Sequence, residues 1–369
     1  MLRLTSPIRT SSTLSAALTT KRSVHFAGYG GRTEVTLIPG DGIGNAAAQS
    51  VKSIFKAQNV PVDFDEIHVT GLGKSQEPPK EYFEAIKSLK RTKVGLKGII
   101  YTPVTAHGHP SFNVQLRKDL DVFAAVSLYR SLPGVSTRHK DVDFVIVREN
   151  TEGEYSGLET RPVPGVVESL KITSESVVER LARFAYDFAK ANGLGSVTAV
   201  HKANIMKKGD GLFKNTIARV GEELYPEISS NSVIVDNCAM QVVSNSQQYK
   251  VLVTPNLYGN ILSNIGAGLV GGPGVVPGVS IGREYAVFEP GCRHVGLSLT
   301  DKGTANPTAT ILSSVMMLRH IGLDRDAEAI ARAVYTTLAE QKVATPDIGG
   351  TSTTVEFTNE VIRKLETVQ

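Results

Sequence analysis

The stretch SVTAVHKANIM (196–206) is an apolar run that stops abruptly at polar residues. Its β-branched and small residues suit a buried strand, which puts His201 and Lys202 at the carboxyl end. The same design recurs in DFVIVREN (143–150), SVIVDN (232–237) and KVLVTPN (250–256). EVTLI (34–38) and VGLKGIIY (94–101) are further strand candidates. Between such runs lie helical patterns, such as SESVVERLARFAYDFAKANG (174–193), closed by Gly193. NPTATILSSVMMLRHIGL (306–323) and DAEAIARAVYTTLAEQ (326–341) read as two amphipathic helices, and AGLVGGPGVVPGVSIG (267–282) as loops and turns around a short helix end. Strands alternating with helices predict an α/β protein, and ligands of such folds sit outside the carboxyl ends of the strands. Arg148, His201, Lys202, Asp236 and Asn256 are therefore expected near one cleft.

The 369 residues suffice for one large domain or two closely joined ones, with a sizeable core. The formal charge of +4 is concentrated at the amino end: residues 1–28 hold Arg3, Arg9, Lys21 and Arg22, and the first acid is Glu34. Without those four charges the balance falls to zero, which argues against a nucleic-acid partner. A basic, Ser/Thr-rich, acid-free leader is the profile of a mitochondrial transit peptide, cleaved near KRSVHF (21–26), and implies the mitochondrial matrix. No uninterrupted apolar run is long enough to span a bilayer, so a membrane is not expected as partner either. Cys238 and Cys292 have neither Cys-x-x-Cys nor zinc spacing and read as structural thiols.

PGDGIG (39–44) follows a strand and opens a helix, so its backbone N–H groups could approach a phosphate. Its spacing is not the dinucleotide fingerprint G-x-G-x-x-G. PSFNVQLRK (110–118) presents Ser111, Asn113 and Arg117, a set suited to a polycarboxylate, although a solvated helix start would look the same. In VRENTEGEYSG (147–157), Arg148 ends a strand and Tyr155 lies seven residues on. A Tyr and a Lys in one cleft can relay protons. NLYGNILSN (256–264) starts as a loop and runs into a helix, with Asn260 and Asn264 on one face. Asp at both positions would make a site for a hard cation; two neutral amides are poor substitutes.

Taken together and in order, PGDGIG, SFNVQLRK, VRENTEGEYSG, TAVHKANIMK, VDN, NLYGNILSN and ANPTATILSSVMMLRHIGL resemble the decarboxylating β-hydroxyacid dehydrogenases of isocitrate and isopropylmalate type, over roughly residues 33–369. Ser111 with Asn113 is the isocitrate-type pattern. Within the family the resemblance is nearest to the non-catalytic, regulatory subunits of mitochondrial NAD-dependent isocitrate dehydrogenases. It implies a large α/β domain from both chain ends (33–140 and 270–369), a smaller α/β domain with the dimer interface (141–269), and no true Rossmann fold.

The resemblance also implies roles. Ser111, Asn113, Arg117, Arg148 and Tyr155 match substrate-binding positions, Tyr155 the proton donor, Lys202 the proton relay and Asp236 a metal ligand. Ser127 stands where catalytic chains have a third Arg, and Asn260 and Asn264 where they have metal-binding Asp. In the family the matching Lys and first Asp serve the neighbouring subunit's site. This chain thus keeps what it would contribute across an interface, Lys202 and Asp236, and lacks what it would use itself. In EPGCRHVGLSLTDKGTANP (289–307), Arg293 stands near a family His, Ser298 where an Asp would grip ribose hydroxyls, and Asn306 at an adenine contact. A nicotinamide dinucleotide is expected to bind poorly there, and AMP or ADP to fit, with phosphate near Arg293.

The expected partners are a catalytic isocitrate dehydrogenase subunit, with Mg²⁺ or Mn²⁺ and NAD in that partner's active site; citrate or isocitrate; and an adenine nucleotide. Two rivals remain. A self-sufficient homodimeric decarboxylating dehydrogenase needs the missing metal ligands, and a purely structural subunit has no need of Arg117, Arg148 and Tyr155.

Overall fold

The computed structural model describes residues 26, 28–72, 78–103 and 111–366, so the leader expected over 1–28 lies almost wholly outside the described residues. Among the described residues, eleven strands form one mixed sheet. Numbered in chain order, they run across it as β1 (Gly28–Tyr29), β2 (Arg32–Ile38), β4 (Val94–Lys97), β13 (Ala286–Pro290), β12 (Pro277–Ile281), β5 (Ala124–Arg130), β6 (Asp143–Glu149), β11 (Val251–Thr254), β9 (Ser196–His201) and β10 (Ser229–Ile234), with β3 (Val62–Glu66) also paired to β2. A separate hairpin, β7 (Glu159–Val163) with β8 (Val166–Ser169), is exposed throughout.

The helices are α1 (Gly44–Ala57), α2 (Lys80–Thr92), α3 (Phe112–Asp119), α4 (Glu175–Ala191), α5 (Gly209–Leu224), α6 (Val235–Ser244), α7 (Asn256–Val270), α8 (Thr308–His320), α9 (Asp324–Glu340) and α10 (Thr354–Glu366). α10 packs on α1 and α9, while α4 and α5 pack together farther along the sheet. No helix among the described residues is long and apolar enough to cross a membrane.

Two parallel groups flank an antiparallel centre. β2, β4 and β13 are parallel, as are β6, β11, β9 and β10, whereas β12 and β5 run antiparallel to their neighbours. The centre departs from the strand–helix alternation read in the sequence. β12 is buried at all five residues inside the segment expected to be loops and turns. Pro277 is its first residue, a position where the missing N–H is tolerated, and Gly278 has no room for a side chain, since a Cβ would lie 2.8 Å from Gly291 Cα. Gly and Pro here mark a crowded strand.

Two further expectations need correction. α8 is not amphipathic: every residue from Thr308 to Arg319 is buried, because it packs against β4, β12, β13, α1 and α9. NLYGNILSN has no loop start, since α7 begins at Asn256 directly after extended Pro255.

Cys238 and Cys292 are free and buried. Burial pushes both thiols up to about 12, so the thiolate fraction at neutral pH is on the order of 10⁻⁵ and rises only as pH nears that value. Ellman's reagent should titrate no thiol in the folded chain between about pH 7 and 9, and both after denaturation. A fast-reacting native thiol would contradict this burial.

Candidate functional site

The parallel register of β6, β11, β9 and β10 puts their carboxyl ends in one row. Thr254 pairs with Arg148, Val253 with Ala199, and Ile234 with His201. Arg148, Asn256, Lys202 and Asp236 thus leave the sheet along the same edge, as the sequence suggested. Strand alternation sends Arg148 and Glu149 to opposite faces. Glu149 accepts hydrogen bonds from Thr151 N and Oγ1 (both 2.7 Å) and Glu152 N (2.9 Å), organising the loop to the 3₁₀ turn Gly153–Ser156 that carries Tyr155.

Arg148 is 5% exposed and lies along α7. Gly259 makes this possible, because a Cβ there would stand 2.7 Å from Arg148 Cγ. Arg148 Nε and Nη2 donate to Asn256 Oδ1 (3.0 and 2.6 Å), and Nη1 donates to Asn260 Oδ1 (2.8 Å). Asn260 Nδ2 donates to the Tyr155 hydroxyl at 2.9 Å. One turn on, Asn264 Nδ2 donates to Asn260 O at 2.9 Å, and its Oδ1 meets His294 Nε2 at 2.8 Å. Burial lowers the Arg148 pKa, against the weaker pulls of Tyr155 and Glu149.

These amides do not fit a divalent cation in the chain's own site. Both side-chain oxygens are committed, one of them to a guanidinium whose charge repels a cation. Asp236 is 68% exposed, with Lys202 Nζ 2.7 Å from its Oδ1. That hydrogen bond holds the Asp236 carboxyl below the usual carboxylate range. The backbone N of Lys202 donates to Asp210 Oδ2 at 2.6 Å, and Asp210 pairs with Lys171 at 2.9 Å. His201 is structural: its Nδ1 accepts from Ala203 N, and burial lowers its pKa.

A second cluster was not legible in the sequence. Lys97, 2% exposed, reaches Glu289 (2.8 Å), Gly98 O (2.7 Å) and Asn113 Oδ1 (3.2 Å). Glu289 also accepts from Ser280 Oγ (2.9 Å) and Arg293 (3.3 Å). Arg293, expected beside a nucleotide phosphate, instead lines a small polar cavity of about 10 Å³ with Ser127, Arg148, Ser263 and Glu289. Ser127 Oγ there faces Gly291 O at 3.3 Å. Nearby, α3 carries Asn113 and Arg117, both buried, and Ser111 Oγ lies 3.1 Å from Thr102 Oγ1. Among the described residues, Arg117 Nη1 has no hydrogen-bond partner. An unpaired buried guanidinium nitrogen is costly unless an anion meets it.

A larger cleft of about 380 Å³ opens beside this cluster, lined by Asp41, Gly44, Gly98, His294, Asn306 and Asp347 among others. The PGDGIG loop forms one wall. Gly42 has φ +58° and sits where a Cβ would be 2.1 Å from Val295 O on the opposite wall. Asp41, buried, accepts from Gly71 N (2.9 Å) and Tyr101 N (2.7 Å), pinning that loop. Asn306 bonds Thr308 N and Asp347. Ser298 is exposed on a 3₁₀ turn, Leu297–Leu299.

Arg148, buried at a strand end of the α/β sheet, thus faces two neutral amides beside a cleft of about 380 Å³. The chain belongs to the isocitrate/isopropylmalate dehydrogenase family, whose signature it matches over residues 34–361. It is 58% identical over 337 residues to isocitrate dehydrogenase [NAD] subunit 1, mitochondrial, of Kluyveromyces lactis, covering 91% of this chain and 92% of that one. It is 50% identical over 343 residues to the human mitochondrial subunit gamma, covering 93% and 86%. Isocitrate dehydrogenase from Methylococcus capsulatus superposes with a TM-score of 0.85 at 37% identity, over 90% of this chain and 99% of that one.

Proposed function

We propose that this chain is the regulatory subunit of a mitochondrial NAD-dependent isocitrate dehydrogenase. It binds citrate or isocitrate at Ser111, Asn113, Arg117, Arg148 and Tyr155, and AMP or ADP in the neighbouring cleft. The carrying observation is Asn260, whose oxygen holds Arg148 and whose nitrogen holds Tyr155 where a metal-binding carboxylate would stand in a catalytic relative. The pocket keeps its cations, so a polycarboxylate can dock by charge-assisted hydrogen bonds. It lacks the carboxylates for a divalent metal, so the electrostatic support of an enolate is missing. Arg293 joins the polycarboxylate side in this reading, next to Ser127 and Arg148.

NAD and the metal belong to the partner's site, to which this chain contributes Lys202 and Asp236. Exposed apolar residues such as Ile205, three residues from Lys202, and Met240, one turn on from Asp236, suit an assembled surface.

The test is NADH production by the mature chain alone with isocitrate and Mg²⁺, then with a catalytic subunit added. The expected result is no turnover alone and citrate- and nucleotide-dependent activity once paired. Arg117→Ala should abolish the citrate activation while leaving unactivated turnover by the pair in place. Turnover by the lone chain, or undiminished activation in Arg117→Ala, would overturn the proposal.

A further inference from the structure

Arg148 and Arg293 line the same small cavity, yet they are held in different ways. The hydrogen bonds of Arg148 go to the neutral amides Asn256 and Asn260. Arg293 instead donates to a carboxylate that the protein itself supplies, with Nη2 at 3.3 Å from Glu289 Oε1. Glu289 is buried on β13 and anchored twice more: Lys97 Nζ stands 2.8 Å from its Oε2, and Ser280 Oγ donates to Oε1 at 2.9 Å. Those two contacts have the length of firm hydrogen bonds, whereas 3.3 Å is long for a charge-assisted one. Arg293 is therefore the loose member, and it can leave without freeing Glu289. Its side chain is also the more exposed of the two. The cavity of about 10 Å³ has room for a water and not for a carboxylate. A ligand group thus gains Arg293 only by drawing it off Glu289.

We infer that Glu289 is an affinity-determining residue of the polycarboxylate site: its carboxylate occupies Arg293 in the empty chain, and the ligand must outcompete it. This rests on the reading that the arginine cluster takes a polycarboxylate. The contact between Glu289 and Arg293 is lost when the ligand takes the arginine over, so its worth is subtracted from the ligand's own charge-assisted bond. Glu289 thereby raises the concentration at which the site fills. Lys97 and Ser280 keep the rival in place, so that Arg293 returns to it when the ligand leaves. The sign of one substitution separates this role from a structural one. Neutralising a carboxylate that merely supports the site weakens binding, whereas neutralising an internal rival strengthens it.

The experiment measures citrate binding to the intact hetero-oligomer by titration calorimetry, in buffer without divalent metal, which citrate would otherwise chelate. Glu289→Gln keeps the size and removes the charge. It should tighten citrate binding by about 10–100-fold, the worth of one charge-assisted hydrogen bond. Because it strands Lys97 and lowers stability, Glu289→Asp is the companion variant and decides the matter where Glu289→Gln does not fold. It keeps an anion for Lys97, withdraws it from Arg293 by one methylene, and should give a smaller gain in the same direction. In an Arg293→Ala background, Glu289→Gln should lose most of its gain, because the rival then has no arginine to hold. Binding that stays equal or weakens in the deciding variant, or an undiminished gain without Arg293, overturns the inference and leaves the proposed function standing. A wild-type complex that binds no citrate overturns the proposed function, and the inference with it.

Discussion

Replacing Lys202 by Met in this chain alone should lower kcat of the assembled enzyme by about 10²–10⁴-fold, the usual contribution of a positioned general acid or base. The effect is large although the chain itself is read as non-catalytic. Lys202 Nζ stands 2.7 Å from Asp236, and the pair is 28% and 68% exposed, whereas Arg148 is buried. In the proposed function Lys202 serves a substrate held by the partner subunit, and its exposure leaves it reachable from there. Its backbone is fixed by Asp210, itself paired with Lys171, so the lysine presents one geometry. Steady-state kinetics on a complex carrying Lys202→Met should show the kcat loss with activation by citrate and nucleotide intact, because the arginine cluster is untouched. Near-normal kcat would mean that Lys202 only pairs with Asp236 and takes no part in the partner's chemistry.

The strand-end residues were legible because a single local rule places them: an apolar run followed at once by polar side chains. Arg148, Lys202, Asp236 and Asn256 fall where that rule puts them, since four parallel strands in register bring their ends to one edge. That Asn260 and Asn264 share one face was equally readable from helix spacing, while their standing in place of metal-binding Asp came only from the resemblance. Their partners were not. Which way an amide turns depends on Arg148, Tyr155 and His294 arriving from elements distant in sequence. The direction of Arg293 was hidden for the same reason: its loop was legible, but the side chain lies against Glu289 on β13 and the small cavity behind Ser127. β12 was hidden because Gly278 answers to crowding from Glu289 on the next strand, from Gly291 just after it and from Val126 on the distant β5. α8 was misread because a helix buried on every side loses the polar stripe that periodicity depends on. Nothing in VGLKGIIY distinguishes Lys97 from a surface lysine at a strand end, yet it is 2% exposed.

That lysine carries the second large expectation. Lys97→Met should destabilise the folded chain by about 3–5 kcal/mol, the range for removing one partner of a buried ion pair. The reason is Glu289, 5% exposed, whose carboxylate would keep only Arg293 at 3.3 Å and Ser280 at 2.9 Å. Burial lowers the Lys97 pKa against the opposing pull of Glu289, so the charged lysine depends on that carboxylate as much as the carboxylate depends on it. Asn113 Oδ1 and Gly98 O would lose their donor as well, loosening both the helix that carries Arg117 and one wall of the cleft. Adding Glu289→Gln to Lys97→Met removes the stranded charge and should recover part of the loss, giving a coupling of about 1–3 kcal/mol in a double-mutant cycle. Scanning calorimetry of the assembled enzyme reads this as a melting temperature lower for Lys97→Met than for the double variant. Simple additivity of the two substitutions would mean that Lys97 and Glu289 are each held by their other partners, and that the pair contributes nothing as a pair.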